Sequence, residues 1–305
     1  MSFSVMHKKS ERKKVDTKTA NDAMIYCSDL VKKRDYENYL ASLLMPTDVK
    51  PKVIANLAFN AEVSIIRQKI KRNSGVSGIN QLKFWKDSLN TLFGELKGPI
   101  PRQPIITALN TYGSEADLPL YLKLIAAREA TLGDRPYESV QKLEESGKDI
   151  NGTLIKLIGN SFERDSNDEA FEKAADNMGA AVTILTLLRA TIPLLREGIV
   201  LLPNDLMSIH DLSPDKVYNN KNPQGLKALT SDLLNVADKN LKKSRSHKSD
   251  ISSIKRQALL GMGIRCDYLL QLLRKNKCNL FEERVHQPDP FLSWKLYFRK
   301  LRKSY

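Results

Sequence analysis

Asn60, Ser64 and Gln68 recur four residues apart in the otherwise apolar stretch NLAFNAEVSIIRQKI (56–70), so a helix would gather them into one polar stripe. Such a stripe lines a small polar pocket or forms the wetted flank of a half-buried helix. Its hydroxyl and amide oxygens carry no net charge and are weak ligands for a hard cation such as Mg2+. Glu62 is the one carboxylate in the stretch, and it points about 200° away from Ser64 round a helix. Arg189 and Arg196 stand seven residues apart in MGAAVTILTLLRATIPLLREGIVLLPND (178–205), on one helical face, suited to an anion or to a buried acid.

The other titratable residues offer no better chemistry. His210 has no Ser, Cys or carboxylate partner at local spacing. Cys27, Cys266 and Cys278 are odd in number and lack CxxC spacing, and the four histidines are scattered, which argues against zinc or haem and for reduced thiols. Cys27 reads as a small buried residue, and the Gly pair of Gly261-Met262-Gly263 is no phosphate loop. No catalytic residue, cofactor or metal is expected.

The elements that must position these residues read as helices throughout. Apolar positions at helical spacing mark 24–44, a helix opened by Pro51, and then 82–93 after a Gly/Ser linker at 73–78. GPIPRQP (98–104) breaks the chain before helices at 105–112, 118–130, 136–145, 149–161 and 167–195. An irregular stretch runs to Pro223, followed by 226–243, 251–260, 264–277 and a terminal helix from Phe291. The segment 180–188 is apolar on most sides and belongs at the centre of a bundle. No long alternation of strand type and no internal repeat appears. With 305 residues, 41% hydrophobic and 28% charged, the expectation is one all-α domain over 21–305; collagen, low-complexity disorder and a disulfide scaffold are excluded.

The net charge of +14 is concentrated. Residues 1–20 carry six Lys/Arg against two acids, 239–256 seven against one, and 291–305 five against none, which leaves the body close to neutral. Without a groove-reading motif no nucleic-acid partner is expected; an anionic membrane surface, an acidic protein or plain solvation fits the charge. Residues 1–20 lack the apolar run of a secretory signal and read as a basic disordered segment with weak mitochondrial-targeting character. No membrane span is expected, because Arg189, Pro193 and Arg196 interrupt the most apolar stretch. Phe291, Trp294, Phe298, Leu301 and Tyr305 form one apolar stripe on the last helix, expected to pack on the bundle. Its basic side, with Arg299, Lys300, Arg302 and Lys303 next to Trp294, is the candidate membrane contact.

The two stretches above, with YCSDLVKKRDYENYLASLLMP (26–46), GINQLKFWKDSL (78–89) and AAREATLGDRPYESVQKLEES (126–146), resemble the squalene/phytoene synthase family from about residue 21 to 305. YCSDLVKKRDYENYLASLL, AFNAEV and QLKFWK are similar to its mitochondrial branch, of the NADH dehydrogenase (complex I) assembly factor 6 type. The resemblance implies a single isoprenoid-synthase-type helical bundle. In the family, two helices each present aspartates at i and i+4 that hold Mg2+ and the diphosphate of a prenyl substrate. The matching positions here are Ser64 and Gln68 in the first motif, and Ala190 and Leu194 in the second, where L-R-D-x-x-x-D meets Leu188, Arg189, Ala190 and Leu194. All four carboxylates are absent. The resemblance therefore implies a pseudoenzyme: a non-catalytic assembly factor for respiratory complex I on the matrix side of the mitochondrial inner membrane, bound peripherally, with complex I subunits or other assembly factors as partners. Asn60 and Arg189 would line the vestigial pocket. The alternative is a divergent prenyl-diphosphate-binding synthase of isoprenoid biosynthesis.

Overall fold

The computed structural model describes residues 15–69, 75–164 and 168–305, with the side chains of residues 68, 69 and 75 outside the description. Asp16 opens the first helix by accepting the Thr19 N–H (3.0 Å). Fourteen α-helices follow among the described residues: α1 Thr17–Arg34, α2 Tyr36–Leu43, α3 Lys50–Lys69, α4 Gly75–Leu92, α5 Pro104–Tyr112, α6 Leu118–Ala130, α7 Val140–Gly147, α8 Thr153–Phe162, α9 Glu169–Arg196, α10 Asn204–Ile209, α11 Pro214–Tyr218, α12 Pro223–Ser246, α13 Gln257–Lys275 and α14 Leu292–Leu301. No strand occurs among these residues, so the all-α expectation holds.

Several boundaries differ from the sequence reading, each for a local reason. The expected helix 24–44 is two helices, because Asp35 leaves the helical conformation and spends its carboxylate on Asn38 (2.7 Å) and Arg265 (3.3 Å). Residues 17–20 of the expected disordered segment belong to α1, and Ala20 is buried; residues 1–14 lie outside the described residues. Residues 75–78 of the expected linker are the first turn of α4, while 73 and 74 lie outside the described residues. Helix α7 starts at Val140 rather than Pro136, where Ser139 accepts the Lys142 N–H and Asp205 accepts the Val140 N–H. The irregular stretch contains two short helices, α10 and α11. The two helices expected at 251–260 and 264–277 are the single α13, which runs through Gly261 and Gly263.

Helix α9 is the axis of one side of the bundle and packs on α7, α8, α12 and α13; α3 is the axis of the other and packs on α1, α5 and α8. Between α7 and α8 the chain winds one π-helical segment, Lys148–Gly152, and α9 crosses it backbone to backbone. A Cβ on Gly179 would lie 2.3 Å from the Gly152 nitrogen, so only glycine allows this approach. By length and composition α9 is long and apolar enough to cross a membrane, which the sequence reading discounts. In the fold 67% of its apolar window is buried, so the core uses that surface. A second, small cluster of Ala41, Leu260, Ile264, Leu292 and Leu296 fixes α14 against α2 and α13.

Candidate functional site

Helix α3 delivers Asn60 to α6 and Arg67 to the loop after it. Asn60 is buried, and its Oδ1 accepts a hydrogen bond from Arg128 Nη2 (2.9 Å). Ser64 is half-buried and donates to its own helix at Ala61 O (2.7 Å), so its hydroxyl serves the backbone. Gln68 lies on α3 with its side chain outside the described residues. One turn from Ser64, Arg67 pairs with Asp134 (Nε to Oδ1, 2.6 Å). Arg128 holds the unusual position. Its Nε is shut from solvent without a partner, and its hydrogen bond is to a neutral amide. Burial pushes its pKa down to about 10; Tyr137 works against that and the nearby Arg67 adds to it. Of the polar stripe on α3, Asn60 thus faces a guanidinium group.

The second motif stretch enters a different network. Leu188 is fully buried, and Arg189 reaches Glu37 Oε1 at 3.4 Å. Arg265 pairs with both Glu37 and Asp35. Burial opposes the charge on Arg265, but Glu37 and then Asp35 outweigh it, and its pKa stands above the usual value. The four residues tie α2, α9 and α13 together. Asn60 and Arg189, expected in one pocket, therefore take separate partners. Ala190 and Leu194 are half-buried, with Leu194 packed on the core, and neither carries a donor atom for a cation.

Acids near these stretches do not repair the set. Asp205 is spent on the N–H groups of Val140 and Leu206. Asp211 and Asp215, four residues apart just beyond, are exposed and paired with Lys216 and Lys221. Among the described residues no three His, Cys, Asp or Glu side chains are grouped to hold a metal. A hydroxyl committed to backbone and aliphatic side chains do not supply the oxygen ligands that Mg2+ needs. His210 does have a carboxylate partner, Asp232 at 2.7 Å, contributed by α12 and invisible to local spacing. Cys27 and Cys266 are fully buried, and burial raises each thiol to about 12, which leaves them protonated and inert. A cleft of about 640 Å3 is lined by Gly133, Asp134, Ile199, Pro214 and Tyr218; another, of about 490 Å3, surrounds Asn56, Asp117 and Arg164.

The last helix overturns the expectation for its aromatics. Phe291, Trp294, Phe298 and Leu301 are 63%, 65%, 52% and 62% exposed, and only Tyr305 of the stripe is buried. Leu292 and Leu296 occupy the bundle side instead, because the surface they meet, Ala41, Leu260 and Ile264, is shaped for aliphatic groups. Polar ties fix the rotation. Lys295 pairs with Asp289 (2.6 Å), Arg299 with Asp267, and Lys300 donates to Leu44 O. These three cations are therefore not simply solvated, whereas Arg302 and Lys303 are exposed.

Sequence reasoning missed Arg128, Arg67–Asp134 and the Glu37–Arg265 pair. A signal for the first was present: Tyr121, Leu124, Ile125 and Arg128 lie on one stripe of α6, which puts a charge on a buried face.

With this geometry in hand, the chain was compared with known proteins. The sequence profile described as Squalene/phytoene synthase matches residues 31–290. "NADH dehydrogenase (ubiquinone) complex I, assembly factor 6" of Rattus norvegicus is 28% identical over 93% of this chain and 84% of its own length. The protein of that name from Homo sapiens is 27% identical over 92% and 82%, and the homolog from Drosophila melanogaster 28% over 95% and 87%. Among solved structures, a dehydrosqualene synthase superposes with a TM-score of 0.76 at 19% identity, covering 93% of this chain and 97% of that one. Squalene synthase HpnC from Alicyclobacillus acidocaldarius gives 0.72 at 15% identity, covering 87% and 97%. At such identities the likeness shows the fold: an isoprenoid-synthase-type helical bundle.

Proposed function

The chain belongs to the squalene/phytoene synthase family, and from that premise we propose that it is a non-catalytic assembly factor for mitochondrial respiratory complex I. The observation that carries the reading is similarity along more than nine-tenths of the chain to proteins named as complex I assembly factors. The chemistry of the site supports the non-catalytic half. Where a synthase needs carboxylates to hold Mg2+ against a leaving diphosphate, this chain offers Ser64, Ala190 and Leu194, with Gln68 at the fourth matching position. Arg128, hydrogen-bonded to Asn60 one turn before Ser64, repels a divalent cation. The retained bundle then serves as a scaffold that holds complex I subunits or other assembly factors. In this reading it acts on the matrix side of the inner membrane as a peripheral protein, which the burial of 67% of the apolar window of α9 supports.

The competing reading, a prenyl-diphosphate-binding synthase, is separated by purified protein, Mg2+ and a prenyl diphosphate. We expect neither product nor Mg2+-dependent heat of binding in calorimetry. Stoichiometric Mg2+ uptake with the diphosphate, or pyrophosphate release, replaces this reading with the synthase.

A further inference from the structure

The exposed face of α14 carries a run of large apolar side chains that the bundle does not cover. Phe291, Trp294, Phe298 and Leu301 follow one another at i, i+3, i+7 and i+10, with Tyr297 exposed beside them. The rings cover each other rather than the bundle: Trp294 stacks on Phe298 at 6.2 Å, and Tyr297 meets Phe298 edge-on at 5.8 Å. Five large apolar side chains held outward in a row are costly in water unless something covers them.

The helix is presented rigidly. Leu292 and Leu296 are buried, Lys295 and Arg299 are tied to Asp289 and Asp267, and Arg245 grips Asp267 through two hydrogen bonds (2.9 and 2.8 Å). Beyond the helix, Tyr305 is buried, donating to Ser244 O (2.9 Å) while its carbonyl accepts from Arg245 Nε (2.9 Å). These contacts, with Lys248 on Ser304 (3.3 Å) and Arg256 on the Lys303 carbonyl (3.5 Å), draw the basic segment 239–256 against the end of α14. Two of the three basic segments thus converge. No acid occurs from 290 to 305, and Arg302 and Lys303 stay exposed beside the aromatic row.

We propose that this face is a docking surface for an anionic lipid bilayer, on which α14 lies flat with Phe291, Trp294, Phe298 and Leu301 in the headgroup boundary and Arg302 and Lys303 on lipid phosphates. The proposal rests on the peripheral-membrane reading above and names its contact surface. Charge complementarity selects the occupant, because the exposed cations beside the apolar row, Arg302 and Lys303, stand in a segment, 290–305, that holds no acidic side chain. Trp and Tyr present an apolar body and a polar tip, which suits an interface between hydrocarbon and water. A helix of ten residues cannot span a bilayer but can lie in its surface. Both clefts described above are lined by other elements, away from α14. Arg299 and Lys300 leave the sequence-derived contact set, since they anchor the helix to the bundle.

Flotation of the purified full chain with phosphatidylcholine vesicles, alone or containing phosphatidylglycerol, tests the surface. Binding is expected only with the anionic lipid, with a blue shift of tryptophan emission from Trp294, because Trp85 is already buried. High salt should weaken it steeply. Trp294→Ser with Phe298→Ser, and separately Arg302→Glu with Lys303→Glu, should each weaken binding by about tenfold or more at unchanged melting temperature. Equal binding to neutral vesicles, no binding to either, or full binding by both variants overturns the proposal. The assay contains no respiratory complex, so its failure removes this surface and leaves the assembly role to stand on its own test; loss of that role with vesicle binding intact is the opposite outcome.

Discussion

Restoring carboxylates to the second motif should weaken the protein rather than revive it. In Ala190→Asp with Leu194→Asp, two acids four residues apart are placed on α9 at half-buried positions. Replacing a half-buried Leu that packs on the core forfeits about 1–2 kcal/mol of apolar contact. Aspartate in place of alanine within a helix costs roughly 0.6 kcal/mol. The like-charge pair adds about 0.2–0.5 kcal/mol. Leu194 lies in the last turn of α9, where its carbonyl already accepts from Glu197 and Ile199, and a negative charge at that end costs about 0.3–1 kcal/mol. The total is about 3 kcal/mol, a fall in melting temperature of roughly 3–6 °C for a chain of 305 residues. Ser64→Asp should cost under about 1 kcal/mol, because the site is already polar and Arg67 stands one turn away. Thermal melts with and without millimolar Mg2+ decide the matter. A double mutant that melts like the parent, or regains its stability when Mg2+ is added, refutes the reasoning, because the face of α9 would then still line a wet metal cavity.

Arg128→Met should stabilise the fold by about 1 kcal/mol in urea titration, since it removes a half-buried cation that no carboxylate among the described residues offsets, against loss of the Asn60 hydrogen bond; destabilisation would mean the charge is compensated in solution. Gly179→Ala should cost about 3 kcal/mol or more, because its Cβ has nowhere to go against the Gly152 backbone, and a midpoint near the parent's would show that the crossing is loose. Burial raises Cys27 and Cys266 from 9.0, and Tyr305 from 10.0, to about 12 each, so the folded state keeps these protons longer than the unfolded chain. Stability should therefore be level below about pH 9 and fall toward pH 12, less steeply in Tyr305→Phe; a flat alkaline profile contradicts that burial. Alkylation of the native protein should reach Cys278 before Cys27 or Cys266, because Cys278 alone of the three is not fully buried.

Helix positions followed from apolar spacing, because burial of one stripe against the bundle is what makes most of these helices form. Leu118–Ala130 is placed to the residue. What failed was anything decided by a distant partner. Asp35 breaks a helix because Arg265, from α13, claims its carboxylate. Gly261 and Gly263 look like a break and instead sit inside α13, where a Cβ on Gly261 would stand 3.0 Å from that of Ala41. The terminal helix carries two apolar faces, and periodicity favoured the aromatic one; the aliphatic surface of α2 and α13 selected Leu292 and Leu296. The motif positions were legible through resemblance, but the guanidinium facing Asn60 was not, since Arg128 arrives from another helix.

The central claim is tested most directly by removing the protein from cells and resolving respiratory complexes on native gels. Fully assembled complex I should fall while the other respiratory complexes persist, and re-expression of the parent chain should restore it. Complex I at its normal level without the chain, or a deficit confined to isoprenoid products, would contradict it.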